Sequence, residues 1–182
     1  MSALPTSELS RLIKVRPLPG ERQVIEADAG ERAALAARFG LPGVDSLRAE
    51  VDLEQRGKAI RATGTLRAAI RQACAISHEE FPANVDEELD LRFVEEGTIA
   101  AREAQDDASE IEIELDADDC DEIEYSGDAF DLGEAIAQTL GLAIDPYAEG
   151  PDADAARKSA GIAQEGEQEG PLAEMLKGLT KD

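Results

Sequence analysis

Cys74 and His78 are the residues whose chemistry the sequence most invites, because the chain has one histidine and it lies four residues from a cysteine. A thiol activated by an imidazole is the arrangement of a thiol-dependent hydrolase, and helical spacing would put both side chains on one face. The alternating pattern around them predicts a strand instead, with Cys74 on its buried side and His78 in the following turn. Because buried apolar cysteines are usually inert, we expect no catalytic residues and no enzyme activity, with the hydrolase as the alternative.

Two groups of residues have the chemical types of a metal site without its spacing. A four-ligand zinc site needs more paired ligands than the chain offers in Cys74, Ser77, His78 and Cys120. The acidic run from Asp116 resembles a calcium loop, but it has Asp121 where the sixth position needs glycine and Gly127 where the twelfth needs glutamate. We expect no metal and no cofactor; weak, nonspecific cation binding by the acidic run stays open.

The net charge of −23 is concentrated in the middle of the chain. Residues 71–150 hold 25 acidic and only three basic side chains. Such a surface repels phosphate backbones and favours a basic protein partner, although solubility alone would also explain it. The candidate partner-binding residues are Asp86, Glu88, Asp90, Asp116, Asp118, Asp119, Asp121 and Glu122.

A β-meander over residues 47–93 must position the first of these acids. Apolar and polar residues alternate along three segments of this stretch, so one face of each strand is buried and the other is charged. A two-residue turn at Arg56-Gly57 would place Asp52 opposite Arg61. Opposite charges would then meet across the first two strands.

The second turn of the meander, over residues 77–80, would place Arg67 opposite Asp90 and Arg71 opposite Asp86. These pairings bear on RNA contact, which is the less favoured interpretation because it needs a local basic strip. Such a strip exists only if the neighbouring acids do not pair with Arg61, Arg67 and Arg71.

Capped helices flank the meander. Asp28 with Glu31 forms a capping box for a helix that ends at Phe39, and Asp131 with Glu134 caps a second helix. Further strands are predicted over residues 12–15, 23–27 and 111–115, and a mobile loop over residues 95–110.

These elements predict an α+β fold: a mostly antiparallel sheet with a central meander, and two or three short helices. A curled or barrel-like sheet is one form that the meander allows. We expect a single domain over residues 1–149 and a mostly disordered, flexible acidic tail over 150–182, with a short helix near 171–179. No apolar run approaches the roughly 20 residues that span a bilayer, and the start lacks a signal-peptide pattern, so we expect a cytoplasmic protein.

Two motifs resemble those of the YceD family, particularly its alphaproteobacterial branch. The first runs from Leu66 to Cys74 and continues through Phe81-Pro82-Ala83 to Phe93-Val94. The second runs from Gly127 to Glu134 and ends in Leu142-Ala143-Ile144-Asp145-Pro146-Tyr147. A weaker match covers residues 170–176. The positions that carry this resemblance are Cys74, Phe81, Asp131, Leu132, Asp145 and Pro146.

The resemblance implies a role in accumulation of large-subunit ribosomal RNA and no catalytic residues. With the acidic surface, it favours as partner a basic ribosomal protein or a pre-ribosomal particle. A regulatory role beside lipid-synthesis enzymes, implied by gene neighbourhood in the family, stays as an alternative. Some relatives carry a Cys-x-x-Cys pair where this chain has Cys74 and Ser77, which puts any metal role of that pair in doubt here.

Overall fold

A computed structural model describes residues 7–99 and 121–161 of the chain. Within these ranges there are seven strands and three helices, which confirms the α+β class. The strands are β1 (Leu12–Lys14), β2 (Gln23–Glu26), β3 (Gly43–Arg56), β4 (Ala59–Ala73), β5 (Glu80–Glu95), β6 (Asp121–Tyr125) and β7 (Ala129–Asp131). The helices are α1 (Ala29–Phe39), α2 (Leu132–Ala143) and α3 (Ala153–Ser159).

The chain divides into two compact units, one of residues 1–72 and 82–145 and one of residues 73–81 and 146–182. The described part of the predicted tail, residues 150–161, contains α3, while the predicted helix near 171–179 lies outside the described residues. The predicted boundary at residue 149 stays a prediction. None of the described helices is both long and apolar enough to span a membrane.

The main sheet of the larger unit is open, with strand order β2-β3-β4-β5-β6. The predicted meander is confirmed as β3-β4-β5, whereas the barrel-like form is not: the sheet is unclosed and has β2 and β6 at its edges. The last pair, β5 and β6, is parallel, and β1 pairs with β7 in a separate two-stranded sheet. The strand predicted over 111–115 and most of the loop predicted over 95–110 lie outside the described residues.

The predicted β3–β4 register is wrong by two residues. Arg56 pairs with Ala59, so the two-residue turn is Gly57-Lys58, and Asp52 faces Thr63 rather than Arg61. Because side chains alternate with a period of two, moving the turn by one residue shifts every partner by two and leaves both faces unchanged. The alternation therefore fixed the faces of these strands but not their partners.

The core lies on one face of the main sheet, because α1 packs against β3 and apolar side chains of α2 join the same buried cluster. Leu66 and Ile136 are fully buried in it. The rings of Phe93 on β5 and Phe130 on β7 stack with centroids 4.2 Å apart. The alternate side chains of β3 and β4 point to the opposite face, which is charged and exposed.

Both predicted helix starts are confirmed, but by different contacts. At α1, Asp28 accepts the Glu31 N–H and Glu31 accepts the Asp28 N–H, which completes the capping box. At α2, Asp131 accepts the Glu134 N–H at 3.1 Å, while the Glu134 carboxylate binds Arg38 instead of the cap backbone. The second helix therefore has half of a capping box.

Candidate functional site

The exposed face of the main sheet carries most of the charged side chains that sequence reasoning singled out in the described part of the chain. We call it the charged face. Its members are the outward-pointing residues of β2 to β5, together with the residues just before β2. They include Arg22, Glu26, Arg48, Glu50, Asp52, Arg61, Arg67, Arg71, Asp86, Glu88 and Asp90.

The three arginines of the predicted basic strip are not free of acids. Arg61 binds Asp90 through two nitrogens, at 2.8 and 2.6 Å. Arg67 Nε lies 3.4 Å from Asp86 and Arg71 Nε lies 3.3 Å from Asp45. Asp86 and Asp90 of β5 therefore pair with arginines of β4, as predicted, but with different ones. Asp90 binds Arg61 instead of Arg67, and Asp86 lies beside Arg67 instead of Arg71.

On the other side of the face, two arginines bind acids of β2 and β3. Arg22 binds Asp52 in bidentate fashion, at 3.0 and 2.6 Å, and this contact lowers the pKa of Asp52. Arg48 binds Glu50 and Glu26, and its hydrogen bond to Glu50 lowers the pKa of that carboxyl. Two arginines on this side are therefore paired with three carboxylates.

The candidate acidic surface is only partly brought together. Glu88 is exposed on the charged face, beside the paired Asp86 and Asp90. Asp121 and Glu122 belong to β6 and not to a loop, because their backbone pairs in parallel with Leu91 and its neighbour on β5. Glu122 is 13% exposed and lies 3.2 Å from Arg92. The remaining candidates, which lie outside the described residues, are Asp116, Asp118 and Asp119.

In the smaller unit, Cys74 sits at the start of a tight turn and is 1% exposed. Its sulfur accepts the N–H groups of Ile76 and Ser77, each at 3.4 Å. Hydrogen bonds from the Ser77 hydroxyl and from backbone N–H groups lower the pKa of the thiol to about 7. These donors surround a sulfur atom that is almost inaccessible to solvent.

His78 lies in the same turn, exposed, as predicted. Its N–H donates to the Cys74 carbonyl at 2.9 Å, and its backbone has a φ of 60°. Among the described residues, no hydrogen bond joins its imidazole to the Cys74 sulfur. The described ranges also hold no group of three or more His, Cys, Asp or Glu side chains placed to share a metal ion. Cys120 lies outside them.

The other positions of the family signature have structural contacts. Asp131 accepts hydrogen bonds from the Ser10 hydroxyl at 2.6 Å and the Arg11 N–H at 2.8 Å, and Leu132 is fully buried. The Asp145 carbonyl accepts from the Gln72 side chain at 3.0 Å, and Pro146 follows, exposed.

Phe81 belongs to the smaller unit. A Cβ on Gly150 would lie 3.0 Å from its ring and 3.4 Å from the Cys74 Cβ. Cys74, Phe81 and Gly150 therefore pack together, and we expect a side chain at position 150 to disturb that packing.

An ion-pair cluster was missed by sequence reasoning. Arg38 at the end of α1 binds Glu8 at 2.8 Å and Glu134 at 2.8 and 3.0 Å. Ser7 donates to Glu134 at 2.5 Å. These residues are far apart in the chain, and no local pattern relates them.

The described ranges therefore hold an open α+β sheet with one charged face. The family model described as "Large ribosomal RNA subunit accumulation protein YceD" matches residues 62–177, more than half of the chain. The chain belongs to this family. No curated protein and no solved structure matches it.

Proposed function

We propose that this chain is a non-enzymatic accessory factor of ribosome biogenesis. It supports accumulation or processing of large-subunit ribosomal RNA in the cytoplasm by binding a basic ribosomal protein or a pre-ribosomal particle. The observation that carries the proposal is the family match together with the concentration of acidic residues in the matched segment. Folded and nascent ribosomal proteins are the basic partners that such a surface would attract.

The charged face supports a partner with exposed cations at the β5 side. Glu88 is exposed there, and no ion pair engages it among the described residues. The neighbouring pair of Arg67 and Asp86 is loose, with side chains 70% and 69% exposed. A lysine or arginine of the partner can therefore compete for these carboxylates at small cost, since exposed pairs are weak.

The direct test is capture of partners by the tagged, full-length chain at low and high salt. Contacts between exposed charges are screened at about 0.5 M salt, where the Debye length falls to roughly 4 Å. We expect ribosomal proteins or assembly intermediates to be retained at about 0.05 M salt and released at the higher concentration. Retention of none at low salt, or of lipid-synthesis enzymes in their place, contradicts the proposal.

Glu88→Lys reverses one exposed charge at the proposed contact, and Glu21→Lys is its matched control. Glu21 is also exposed, but it precedes edge strand β2, on the far side of the sheet from β5. We expect Glu88→Lys to reduce the retained partner several-fold and Glu21→Lys to leave it near the wild-type amount. Equal losses would mean that only total charge matters.

A deletion strain tests the ribosomal role separately from the partner. Precursor and mature large-subunit RNA are quantified in the deletion strain and after complementation with the wild-type chain or with Cys74→Ala. We expect the deletion to lower mature large-subunit RNA and Cys74→Ala to restore it. Failure of Cys74→Ala alone, in a protein that accumulates normally, would favour the thiol-enzyme alternative.

A further inference from the structure

The outer edge of β2 carries backbone groups that no other strand of the described ranges binds, since β2 pairs only with β3. The Ala27 N–H, just past β2, donates to the Leu47 carbonyl of β3 at 3.1 Å. Alternate residues of an antiparallel strand bond to the same neighbour, so the intervening residues point their N–H and C=O groups away from the sheet. These residues are Arg22, Val24 and Glu26. The Glu26 carbonyl agrees with this direction, because it accepts a hydrogen bond from Arg11 at 3.2 Å.

The side chains of the same three residues lie on the charged face. Val24 is 51% exposed, although it is a large apolar residue within a strand. Arg22 precedes it and binds Asp52, and Glu26 follows it and binds Arg48. The edge therefore carries a positive, an apolar and a negative side chain in that order.

This order is complementary to itself in an antiparallel pairing centred on Val24. Val24 of each copy would lie opposite Val24 of the other, and Arg22 of each opposite Glu26 of the other. Each of these residues has outward backbone groups, so every position of the pairing can exchange hydrogen bonds. We propose that two copies of the chain associate through their β2 edges in this register.

The neighbouring elements are compatible with a second copy at this edge. Helix α1 packs against β3, one strand in from the edge. A carbonyl oxygen can accept two hydrogen bonds, so the Glu26 carbonyl can keep Arg11 and also accept from the Arg22 N–H of the second copy. Opposite residues of an antiparallel pair have their side chains on the same face, so the two charged faces would form one continuous surface. The inference does not depend on the basic partner proposed above.

We expect the association to be weak. The paired edge is short, and each copy has a net charge of −23. Interfaces below roughly 1,200 Å² are typical of transient complexes, so we expect dimers at about 100 µM chain and above.

Sedimentation equilibrium of the full chain at roughly 5 and 500 µM tests the association. The buffer contains about 0.15 M salt, which screens repulsion between the copies beyond roughly 8 Å. We expect the average mass to rise from that of one chain toward that of two. Hydrogen exchange of the same samples should show the Val24 amide exchanging several-fold more slowly at the higher concentration. The Ile25 amide, which faces β3, should be protected at both.

Arg22→Glu and Glu26→Arg test the register. Either variant alone places like charges opposite each other twice in the dimer, and we expect each to weaken association about tenfold or more. An equimolar mixture of the two restores opposite charges at both positions, so it should associate about as well as the wild-type chain. Arg67→Glu and Glu87→Arg are the matched controls, because they make the same charge changes on β4 and β5. We expect each control to weaken association less than about twofold.

Four outcomes would overturn the proposal. A wild-type chain with the mass of a monomer at roughly 500 µM excludes the dimer. A Val24 amide that is protected at both concentrations means that the same chain covers its own edge. Equal weakening by the controls means that total charge governs association, and a mixture that stays monomeric excludes the register. Because the side chains of Arg22 and Glu26 are 56% and 62% exposed, their replacement leaves the fold intact, and lost association is not lost structure.

Discussion

The Glu134 side chain, at the start of α2, binds residues outside its own helix. Its spacing from Asp131 predicts a capping box, yet its carboxylate accepts hydrogen bonds from Arg38, Ser7 and Gln138. The Arg38 guanidinium, followed by these neutral donors, lowers the pKa of Glu134 to about 2. The residue therefore connects the start of α2 to the end of α1 and to the N-terminal segment.

This contact predicts an acid-dependent loss of stability. Because the folded pKa lies below the ordinary value of 4.5, the ion pair stabilises the fold above about pH 4.5 and is lost as the pH falls toward 2. We expect Glu134→Gln to lower the free energy of unfolding by about 1–3 kcal/mol at pH 7. The measurement is urea unfolding of both chains at pH 7 and pH 3.

In that experiment, the difference between the wild-type chain and Glu134→Gln should shrink at pH 3. Glu54→Gln is the control, because Glu54 is 62% exposed and its pair with Arg56 is solvated. Its effect should be much smaller, because exposed ion pairs are weak. A Glu134→Gln difference that is the same at both pH values would contradict the assignment.

Cys74 combines a lowered pKa with burial, and the two have opposite effects on its reactivity. We expect slow alkylation of the native thiol and fast alkylation after unfolding, since the side chain is 1% exposed. Ser77→Ala removes the largest cause of the lowered pKa, so the midpoint of the native rate against pH should move upward from about 7. Iodoacetamide kinetics in a Cys120→Ser background measure both.

An unchanged midpoint in Ser77→Ala would show that the Ser77 hydroxyl does not stabilise the thiolate. Native alkylation as fast as in the unfolded chain would contradict the burial.

At the scale of the element, the β3–β4 pair depends on a close backbone approach at Gly64. Gly64 pairs with Val51, and a Cβ on it would lie 1.9 Å from the Glu50 carbonyl oxygen. We expect Gly64→Ala to lower the free energy of unfolding by about 1–3 kcal/mol, because a strand must shift to admit the methyl group. Gly20→Ala is the control, since nothing lies within 4 Å of a Cβ there. Thermal unfolding that ranks both variants equally would exclude this close approach.

The elements differ in how far their sequence determines them. Asp28, Glu31 and the apolar stripe of α1 are local signals, and that helix ends at Phe39 as predicted. The strand pairings are not local: a turn displaced by one residue satisfies the same alternation, so Asp52 could be assigned to Arg61 when its partner is Arg22. β6 is similar, since nothing in the five residues Asp121–Tyr125 specifies parallel pairing with β5.

The candidate site also combines features that depend on local sequence with features that depend on strand pairing. That Asp86 and Asp90 lie on an exposed face could be predicted from the alternation, because exposure depends on the period of the strand. The ion pairs of that face could not be predicted. That Asp90 binds Arg61 and Asp86 binds Arg67 depends on which residues are cross-strand neighbours, and therefore on the register.

For the whole molecule, the excess of acidic over basic side chains opposes compaction. The chain has 41 Asp and Glu against 18 Lys and Arg, so like charges predominate in the folded state. We expect the midpoint of thermal unfolding to rise by a few degrees between about 0.02 and 0.5 M sodium chloride, because screening reduces this repulsion. A lower midpoint at high salt would mean that the ion pairs of the charged face and of Arg38 stabilise the fold by more than the net charge destabilises it. Sodium sulfate at equal ionic strength is the comparison.

The pairing of β1 with β7 sets the order in which the larger unit can be completed during translation. The Arg11 N–H binds Asp131, 120 residues further along the chain, and Leu9 is fully buried only when that strand and α2 are in place. At about 5–20 residues per second, synthesis of the intervening chain takes on the order of ten seconds. β1 therefore leaves the ribosomal tunnel well before its partner β7 exists, whereas the β3-β4-β5 meander can form while the chain is still growing.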